Sequence, residues 1–336
     1  MANKRNILWI NLLKGICMVS VYLLHSEQYS SVVWIKSYGY LLQPFYVNAF
    51  FFVSGYLLFR KWLSNDGGWA MMSIENYLNS LNNLFFRLIL PTIVFATILY
   101  IPKVFFNGED IDIGQYFYNV FGGISFWFTS ALLISQIVLL TLFLFNNRNI
   151  WFPFFISLGL FIFAYWLSRI DTTPFPWYYK SGLAATLFLS LGGVYQRYEL
   201  VIDKFVGKIG YVAVFVIYWL CMIWDFNTHS MVFGLMSVNI NLLGFIVALL
   251  GIAMLVGVCK KLNSVKIINY IGENSIVFYF LSGAVPATIS TVFKCFFEIN
   301  YFYVLLIALL SIIVSCGLCF LINRYFRFLL DLRLVL

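Results

Sequence analysis

The chain has 336 residues, of which 62% are hydrophobic and only 10% are charged, and its formal net charge is +8. A soluble domain carries roughly a quarter of its residues as charged side chains, so this composition excludes a soluble protein and predicts an integral membrane protein. The positive charge does not indicate nucleic-acid binding, because membrane proteins collect Lys and Arg in cytoplasmic loops. No basic stripe lies outside the apolar segments.

Ten segments are apolar enough to cross the hydrocarbon core, which takes about 20 helical residues. They cover roughly residues 7–26, 40–60, 83–106, 125–146, 150–168, 181–197, 209–225, 232–258, 270–293 and 301–323. Turn-forming residues separate several of them. The predicted fold is an all-α bundle of about ten transmembrane helices that forms a single domain over residues 1–336.

The first segment resembles a signal peptide, since Lys4 and Arg5 precede an apolar run. No small-x-small cleavage site follows it, Lys14 interrupts its core, and further apolar segments come after it. It is therefore expected to remain as a helix.

Lys and Arg are distributed unevenly between alternate loops. With the N-terminus inside, the outer side holds only Lys36, Lys103, Arg169, Lys180 and Lys294, and apart from Lys14 all the others lie on the inner side. Because Lys- and Arg-rich loops stay in the cytoplasm, both termini are predicted to be cytoplasmic, in a multi-pass protein of the cell membrane. No loop is long enough for a separate catalytic domain, so chemistry is expected inside the bundle or at its rim.

Two residues of the first segment are costly to place in lipid. Lys14 and His25 are eleven positions apart, which in a helix is three turns plus roughly 20° and a rise near 16 Å. They therefore share one face, along which Asn11, Met18 and Tyr22 also fall. An ionised lysine in lipid costs about 2.5–3.5 kcal/mol even on the mild insertion scale, so this face is expected to look into the bundle.

No acid lies deep in a predicted span, and Asp225 and Glu273 come closest. Lys14 is therefore expected to lack a deep carboxylate partner and to need water, helix carbonyls or an anionic ligand. Simpler alternatives stay open, because Lys14 can snorkel to the cytoplasmic headgroups and His25 can end the helix at the outer interface.

The shared face favours a chemical role for the two residues. A histidine that takes a proton from a hydroxyl as a general base typically contributes about 10²–10⁴-fold to a rate. A fixed cation holds the anionic part of an acyl donor or stabilises an oxyanion. Together they predict transfer of an acyl group from a cytoplasmic donor to an outward-facing hydroxyl.

The pattern resembles the membrane acyltransferase-3 family, whose members O-acylate cell-surface polysaccharides and related glycans. Their first helix carries a basic residue and a histidine with ten residues between them, as Lys14 and His25 stand here. The pair Lys14-Gly15 resembles the branch of fucose O-acetylases and biofilm-adhesin modifying proteins. Further similar motifs follow in chain order: Phe50-Phe51-Phe52-Val53-Ser54-Gly55-Tyr56, Arg87-Leu88-Ile89-Leu90-Pro91, Phe126-Trp127-Phe128 with Leu132, Leu191-Gly192-Gly193, and Ile271-Gly272-Glu273-Asn274-Ser275 with Phe278-Tyr279.

Two positions depart from the family pattern. The family often has an aspartate where this chain has Asn11, and the absence of that carboxylate removes one partner for Lys14. The family also often has a second histidine where this chain has Ser282. With serine there, His25 is the only histidine at a matching position. A mechanism with two histidines is therefore not expected.

The resemblance implies acyl-CoA as the donor, with acetyl-CoA the first choice, and a glycan or lipid-linked sugar as the acceptor. It implies catalytic roles for His25 and Lys14. The helix face and the motifs together give six substrate-binding candidates: Asn11, Tyr22, Ser54, Trp127, Tyr279 and Ser282. Cytoplasmic cations suit the phosphates of the donor, and the candidates are Arg60, Lys61 and Arg87, with Lys260, Lys261 and Lys266 further along the chain.

Structural alternatives accompany these assignments. Ser54-Gly55 can simply let two helices approach closely, and Trp127 can belong to the aromatic belt at the headgroups. The cations can be ordinary positive-inside residues. His229 and Asp225 are interpreted as a solvated loop pair.

The remaining patterns favour no further chemistry. The acidic residues at 109–112 are interpreted as a solvated loop, and Cys316-Gly-Leu-Cys319 as helix packing. No metal site is predicted, because the two histidines are far apart and no acidic cluster lies in the membrane. A transporter or flippase for a polysaccharide or lipid-linked sugar is the rival class, although no inverted repeat or paired broken helices are detected. Membrane lipids are expected contacts, and a homodimer is left open.

Overall fold

The computed structural model describes residues 5–30, 38–62, 72–107, 112–145, 149–228, 233–262 and 264–330. The helices in these ranges are α1 (Arg5–Ser30), α2 (Tyr38–Trp62), α3 (Ile74–Leu84), α4 (Leu90–Asn107), α5 (Ile113–Val120), α6 (Trp127–Phe145), α7 (Trp151–Ile170), α8 (Tyr179–Thr228), α9 (Leu242–Leu262), α10 (Lys266–Glu273), α11 (Ser275–Lys294) and α12 (Tyr301–Tyr325). A π-helical turn over Phe85–Ile89 joins α3 to α4, and a short 3₁₀ turn covers Arg327–Leu329. Two short strands, β1 (Phe233–Gly234) and β2 (Asn239–Ile240), pair antiparallel.

Nine helical segments within the described ranges are long and apolar enough to cross a membrane. The prediction of an all-α membrane protein is therefore confirmed, whereas the predicted count of ten spans and the cytoplasmic termini stay predictions. The two counts differ at α8, where one segment of 47 residues replaces two predicted spans. At 1.5 Å per residue this segment would be about 70 Å long as a straight helix, against a hydrocarbon core of about 30 Å. Gly207 has φ +59°, outside the right-handed helical region, between the two predicted spans.

Three predicted segment boundaries are wrong. The segment predicted at 232–258 becomes helical only at Leu242, because the hairpin precedes it and the Asn241 side chain accepts a hydrogen bond from the Leu243 N–H at 2.8 Å. The segment at 270–293 is interrupted at Asn274, where α10 ends and α11 begins. The segment at 83–106 starts earlier, because the Ser73 hydroxyl caps the polar helix α3.

The chain divides into two compact units. Unit 1 contains Met1–Phe50, Val206–Val232 and Asn241–Phe326, and unit 2 contains Phe51–Phe205, Phe233–Ile240 and Arg327–Leu336. In unit 1, α1 packs against α9, α10, α11 and α12. In unit 2, α3 packs against α6, and α4 packs against α5. That the whole chain acts as one domain stays a prediction.

The connection between α7 and α8 in unit 2 is closely braced. The ammonium group of buried Lys180 donates to the Asp171 carboxylate at 2.6 Å, to the Asp171 carbonyl, and to the Thr173 carbonyl at 3.1 Å. The Lys180 hydrogen bond, aided by the Thr173 N–H and hydroxyl, lowers the pKa of Asp171 to about 2. Further along, the Trp177 N–H donates to the Gly122 carbonyl at 2.8 Å. The connection is thus tied both to the start of α8 and to the turn after α5.

Candidate active site

The predicted face of the first helix is present in unit 1. Helix α1 runs without interruption from Arg5 to Ser30, so Lys14 and His25 lie three turns apart on one side of it, about 16 Å along the axis. Both residues are half-buried, and Asn11 and Tyr22 on the same stripe are buried. The helix therefore presents its basic residue and its imidazole to protein rather than to open lipid alone.

A close helix crossing fixes the surroundings of Lys14. A Cβ atom on Gly15 would lie 2.0 Å from the Ile268 carbonyl oxygen, and one on Gly272 would lie 1.8 Å from the Asn11 carbonyl oxygen. Side chains do not tolerate such distances, so α1 and α10 approach this closely only because both positions are glycine. The motifs Lys14-Gly15 and Gly272-Glu273 thus meet in space.

The crossing brings a carboxylate to Lys14. Glu273, the last residue of α10, accepts a hydrogen bond from the Asn11 side chain at 3.1 Å. Asn11 lies one turn before Lys14 on the same face of α1, so this carboxylate lies near the Lys14 side chain. The expectation that Lys14 lacks a deep carboxylate partner therefore stays a prediction, and the acid that the crossing supplies is Glu273, at the end of a neighbouring helix.

His25 lies near the other end of α1. Its Nδ1 atom is buried and has no hydrogen-bond partner among the residues that the structure describes. The ring stacks on Tyr29 with centroids 5.9 Å apart and planes 19° apart, and the Gln28 side chain interacts with the imidazole. The ring is thus oriented by its own helix while one nitrogen is left with unused hydrogen-bonding capacity.

Tyr22 lies between Lys14 and His25, and its hydroxyl is engaged inside unit 1. It donates to the Phe278 carbonyl at 3.0 Å and is 2.7 Å from the Ser315 hydroxyl. The side chain is fully buried, so the structure gives Tyr22 a packing role that joins α1 to α11 and α12. Substrate contact at Tyr22 stays a prediction.

Helix α11 carries the two remaining candidates of unit 1. Ser282 is buried and its hydroxyl donates to the Tyr279 carbonyl at 2.8 Å, one turn earlier. Tyr279 is half-buried, and its ring lies 5.8 Å from that of Phe280. The Ser282 hydroxyl oxygen retains capacity to accept a hydrogen bond, but it does not supply the base that a histidine would at this position.

One apolar groove of about 300 Å³ lies in unit 1. It is lined by Leu23, Leu41, Leu42, Trp219, Tyr301 and Leu305. Leu23 is nine positions from Lys14 and two from His25, so helical geometry places it on the opposite side of α1 from both. This groove is therefore not the shared cavity that the sequence predicts, and that cavity stays a prediction.

Ser54 and Trp127 belong to unit 2. Ser54 is half-buried and precedes Gly55, at which a Cβ atom would lie 1.9 Å from the Leu189 carbonyl oxygen. Gly192 makes the reciprocal contact with the Phe52 carbonyl oxygen, also at 1.9 Å. Helices α2 and α8 therefore pack closely through Gly55 and Gly192, which is the structural alternative for the Ser-Gly motif. Trp127 is half-buried at the start of α6.

Arg60 lies at the end of α2 within a polar cluster of unit 2. Its Nη1 atom is buried and has no hydrogen-bond partner within the described part of the chain. One turn earlier, the Tyr56 hydroxyl donates to the Glu199 carboxylate at 2.5 Å, and the Tyr195 hydroxyl donates to the Asp203 carboxylate at 2.8 Å. Sequence reasoning selected Arg60 but missed these acids, because they come from the polar middle of α8.

Lys61 and Arg87 are exposed residues of the same unit. Arg87 stands in the π-helical turn, four residues before Pro91. Proline has no N–H to donate to the carbonyl four residues earlier, which explains why the regular helix is interrupted here. Single π turns are frequent at functional sites. The phosphate-docking role of these cations stays a prediction.

Within the described ranges, no group of three or more His, Cys, Asp or Glu residues could hold a metal ion. His229, Glu109 and Asp110, which the sequence interpretation assigned to solvated loops, lie outside the residues that the structure describes.

The apolar helices, together with Lys14 and His25 on one face of α1, define a multi-pass helical membrane protein with a cation and an imidazole on its first helix. A family model described as an acyltransferase domain matches residues 7–324. Because this match covers nearly the whole chain, the protein belongs to the acyltransferase-3 family and is a membrane acyltransferase. No curated protein and no solved structure matches the chain. Its assignment to the fucose O-acetylase and biofilm-adhesin branch stays a prediction.

Proposed function

We propose that this protein transfers an acyl group, acetyl in the first place, from cytoplasmic acyl-CoA to a hydroxyl of a glycan or lipid-linked sugar on the other side of the cell membrane. The observation that carries the proposal is the half-buried His25, whose buried Nδ1 has no partner within the described residues, on the same face of α1 as Lys14. Membership of the acyltransferase family supplies the reaction class.

His25 is the proposed catalytic group. As a general base it takes the proton of the acceptor hydroxyl while the hydroxyl oxygen attacks the thioester carbonyl. The carbon–sulfur bond then breaks, CoA leaves as the thiolate, and the imidazolium returns the proton to it. In the alternative route, the imidazole itself attacks the thioester, the carbon–sulfur bond breaks and CoA leaves as the thiolate. The acceptor hydroxyl then takes the acyl group from the ring nitrogen, and its proton goes to the thiolate. Both routes require the unpaired ring nitrogen.

Lys14 is proposed to hold the donor rather than the reacting carbonyl. It lies about 16 Å along the helix axis from His25, and helical side chains lean towards the N-terminus, which carries the Lys14 ammonium group further away. The two groups therefore do not meet at one carbonyl. Between the two roles that the sequence leaves open, the separation favours an electrostatic hold on the anionic part of acyl-CoA over stabilisation of the oxyanion.

Other residues of the two units are proposed as further binding groups. Arg60, whose Nη1 has no hydrogen-bond partner among the described residues, joins Lys61 and Arg87 as the candidates for the CoA phosphates. The candidates for acceptor or acyl contacts are Asn11, Tyr22, Ser54, Trp127, Tyr279 and Ser282. The proposal needs no metal and no nucleic-acid partner.

The test is transfer of label from radiolabelled acetyl-CoA to the envelope glycan fraction of the native host, with purified protein in proteoliposomes. We expect activity in the wild type, and at least a hundredfold loss in His25→Ala, from removal of the general base. His229→Ala is the matched control, because these are the only two histidines of the chain, and it should keep wild-type activity. Glycan movement without thioester cleavage would favour the transporter instead. Full activity in His25→Ala would contradict the catalytic assignment.

A further inference from the structure

The helix crossing of α1 and α10 places the acidic side chain of Glu273 near Lys14. Gly15 and Gly272 bring the backbones of α1 and α10 together, and this crossing places Glu273 against Asn11. Asn11 and Lys14 are one turn apart on the same face of α1. A carboxylate that contacts Asn11 therefore lies next to the Lys14 side chain.

Side-chain amides, of which Asn269 is buried, hold α10 and the start of α11 in position. The Asn269 side chain donates to the Leu8 carbonyl on α1 at 2.8 Å and accepts from the Val265 N–H at 2.7 Å. At the break after Glu273, the Asn274 side chain donates to the Tyr270 carbonyl at 2.9 Å. That side chain in turn accepts from Asn323 of α12 at 2.8 Å. The residue that carries the carboxylate is thus fixed on both sides, although Glu273 itself is exposed.

We propose that Glu273 is the positioning residue for Lys14: its carboxylate draws the ammonium group towards α10 and holds it where the anionic part of the acyl donor binds. This inference rests on the proposed function, since it assigns the donor to Lys14. The alternative course for a lysine near a helix end is to extend to the lipid headgroups. The ammonium group has three N–H donors, so attraction to one carboxylate leaves donors for the ligand.

The same geometry identifies a position from which an acid could replace Glu273. Position 11 lies one turn before Lys14 and already contacts the Glu273 side chain. An aspartate there would supply the negative charge from α1 itself. The double variant Asn11→Asp with Glu273→Gln therefore keeps the charge beside Lys14 and moves it from one helix to the other.

The experiment measures KM for acetyl-CoA and kcat of the wild type, of Glu273→Gln and of the double variant, together with their thermal unfolding. For Glu273→Gln we expect KM to rise about tenfold with kcat within about threefold of the wild type, because the donor is held less well while His25 is untouched. The double variant should return the KM for acetyl-CoA to within about threefold of the wild type; its kcat is not compared, because Asn11 is also a candidate for acceptor contacts. The matched control is Glu298→Gln, an exposed acid after α11, which should leave both constants unchanged.

Four results would overturn the inference. KM for Glu273→Gln could equal that of the wild type, which would mean that the carboxylate does not help to hold the donor. It could also fall, which would mean that the carboxylate competes with the donor. A rise in KM that the double variant does not reverse would show a structural role only. If Glu273→Gln does not fold, the double variant is compared with Asn11→Asp alone, and a tenfold difference in KM between them contradicts the proposal. Inactive wild-type protein would instead refute the proposed function.

Discussion

Replacing Gly272 by alanine tests whether the helix crossing organises the site. The added Cβ would lie 1.8 Å from the Asn11 carbonyl oxygen and must move beyond 3.0 Å, so α1 and α10 have to separate by more than 1 Å. The Asn11–Glu273 hydrogen bond, now 3.1 Å, would lengthen to about 4 Å and be lost. Overpacking of this kind costs about 3 kcal/mol, and the better helix propensity of alanine returns about 1 kcal/mol.

The net destabilisation of about 2 kcal/mol should lower the apparent Tm by roughly 3 °C in a chain of 336 residues. Acyl transfer should fall at least tenfold, because a shift of about 1 Å at a binding group is enough for such a loss. Gly317→Ala in α12 is the matched control, since nothing lies within 4 Å of the added Cβ, and it should keep both activity and Tm. Wild-type transfer and Tm in Gly272→Ala would show that the contact between α1 and α10 does not organise the site.

Three further predictions concern packing and charge elsewhere. Gly55→Ala should lower the apparent Tm by several degrees, because its Cβ would lie 1.9 Å from the Leu189 carbonyl oxygen. Gly159→Ala, with nothing within 4 Å of its Cβ, should leave the Tm unchanged, and an equal Tm for the two variants would contradict the close contact. Tyr22→Phe should cost about 1–2 kcal/mol of stability by removing buried hydrogen bonds, measured as a lower Tm; an unchanged Tm would contradict the packing role of the hydroxyl. The pKa of Asp171, about 2 in the folded protein, lies below its unfolded value near 3.9, so its stabilising effect is fully present above about pH 4 and disappears as the pH falls through 2. Asp171→Asn should therefore lower the Tm at pH 7 and make no difference near pH 2, and a deficit that persists in acid would argue against an ionic role.

The membrane-spanning helices were predictable because long apolar runs report burial in lipid directly. The boundaries failed where local chemistry interrupts such a run. The hairpin before Leu242 lies in an apolar segment, and its short strands depend on backbone pairing that hydropathy does not reveal. The break at Asn274 separates two helices whose composition is continuous.

The face shared by Lys14 and His25 followed from helical geometry alone, and the continuous α1 confirms it. The carboxylate beside Lys14 did not follow, because the meeting of Gly15 and Gly272 joins positions far apart in the chain. Each glycine lies in a motif that the sequence singled out, but a single sequence does not show that two motifs touch. That His25 Nδ1 has no hydrogen-bond partner within the described ranges likewise depends on which side chains pack around it.

Transfer across the bilayer tests the central claim most directly. Proteoliposomes would enclose the glycan fraction, and radiolabelled acetyl-CoA would be added outside to protein whose cytoplasmic face is outward. We expect labelled glycan inside the vesicles with the wild type and with His229→Ala, and none with His25→Ala. Label that appears only when donor and glycan share one compartment would contradict this claim, as would transfer that does not depend on His25.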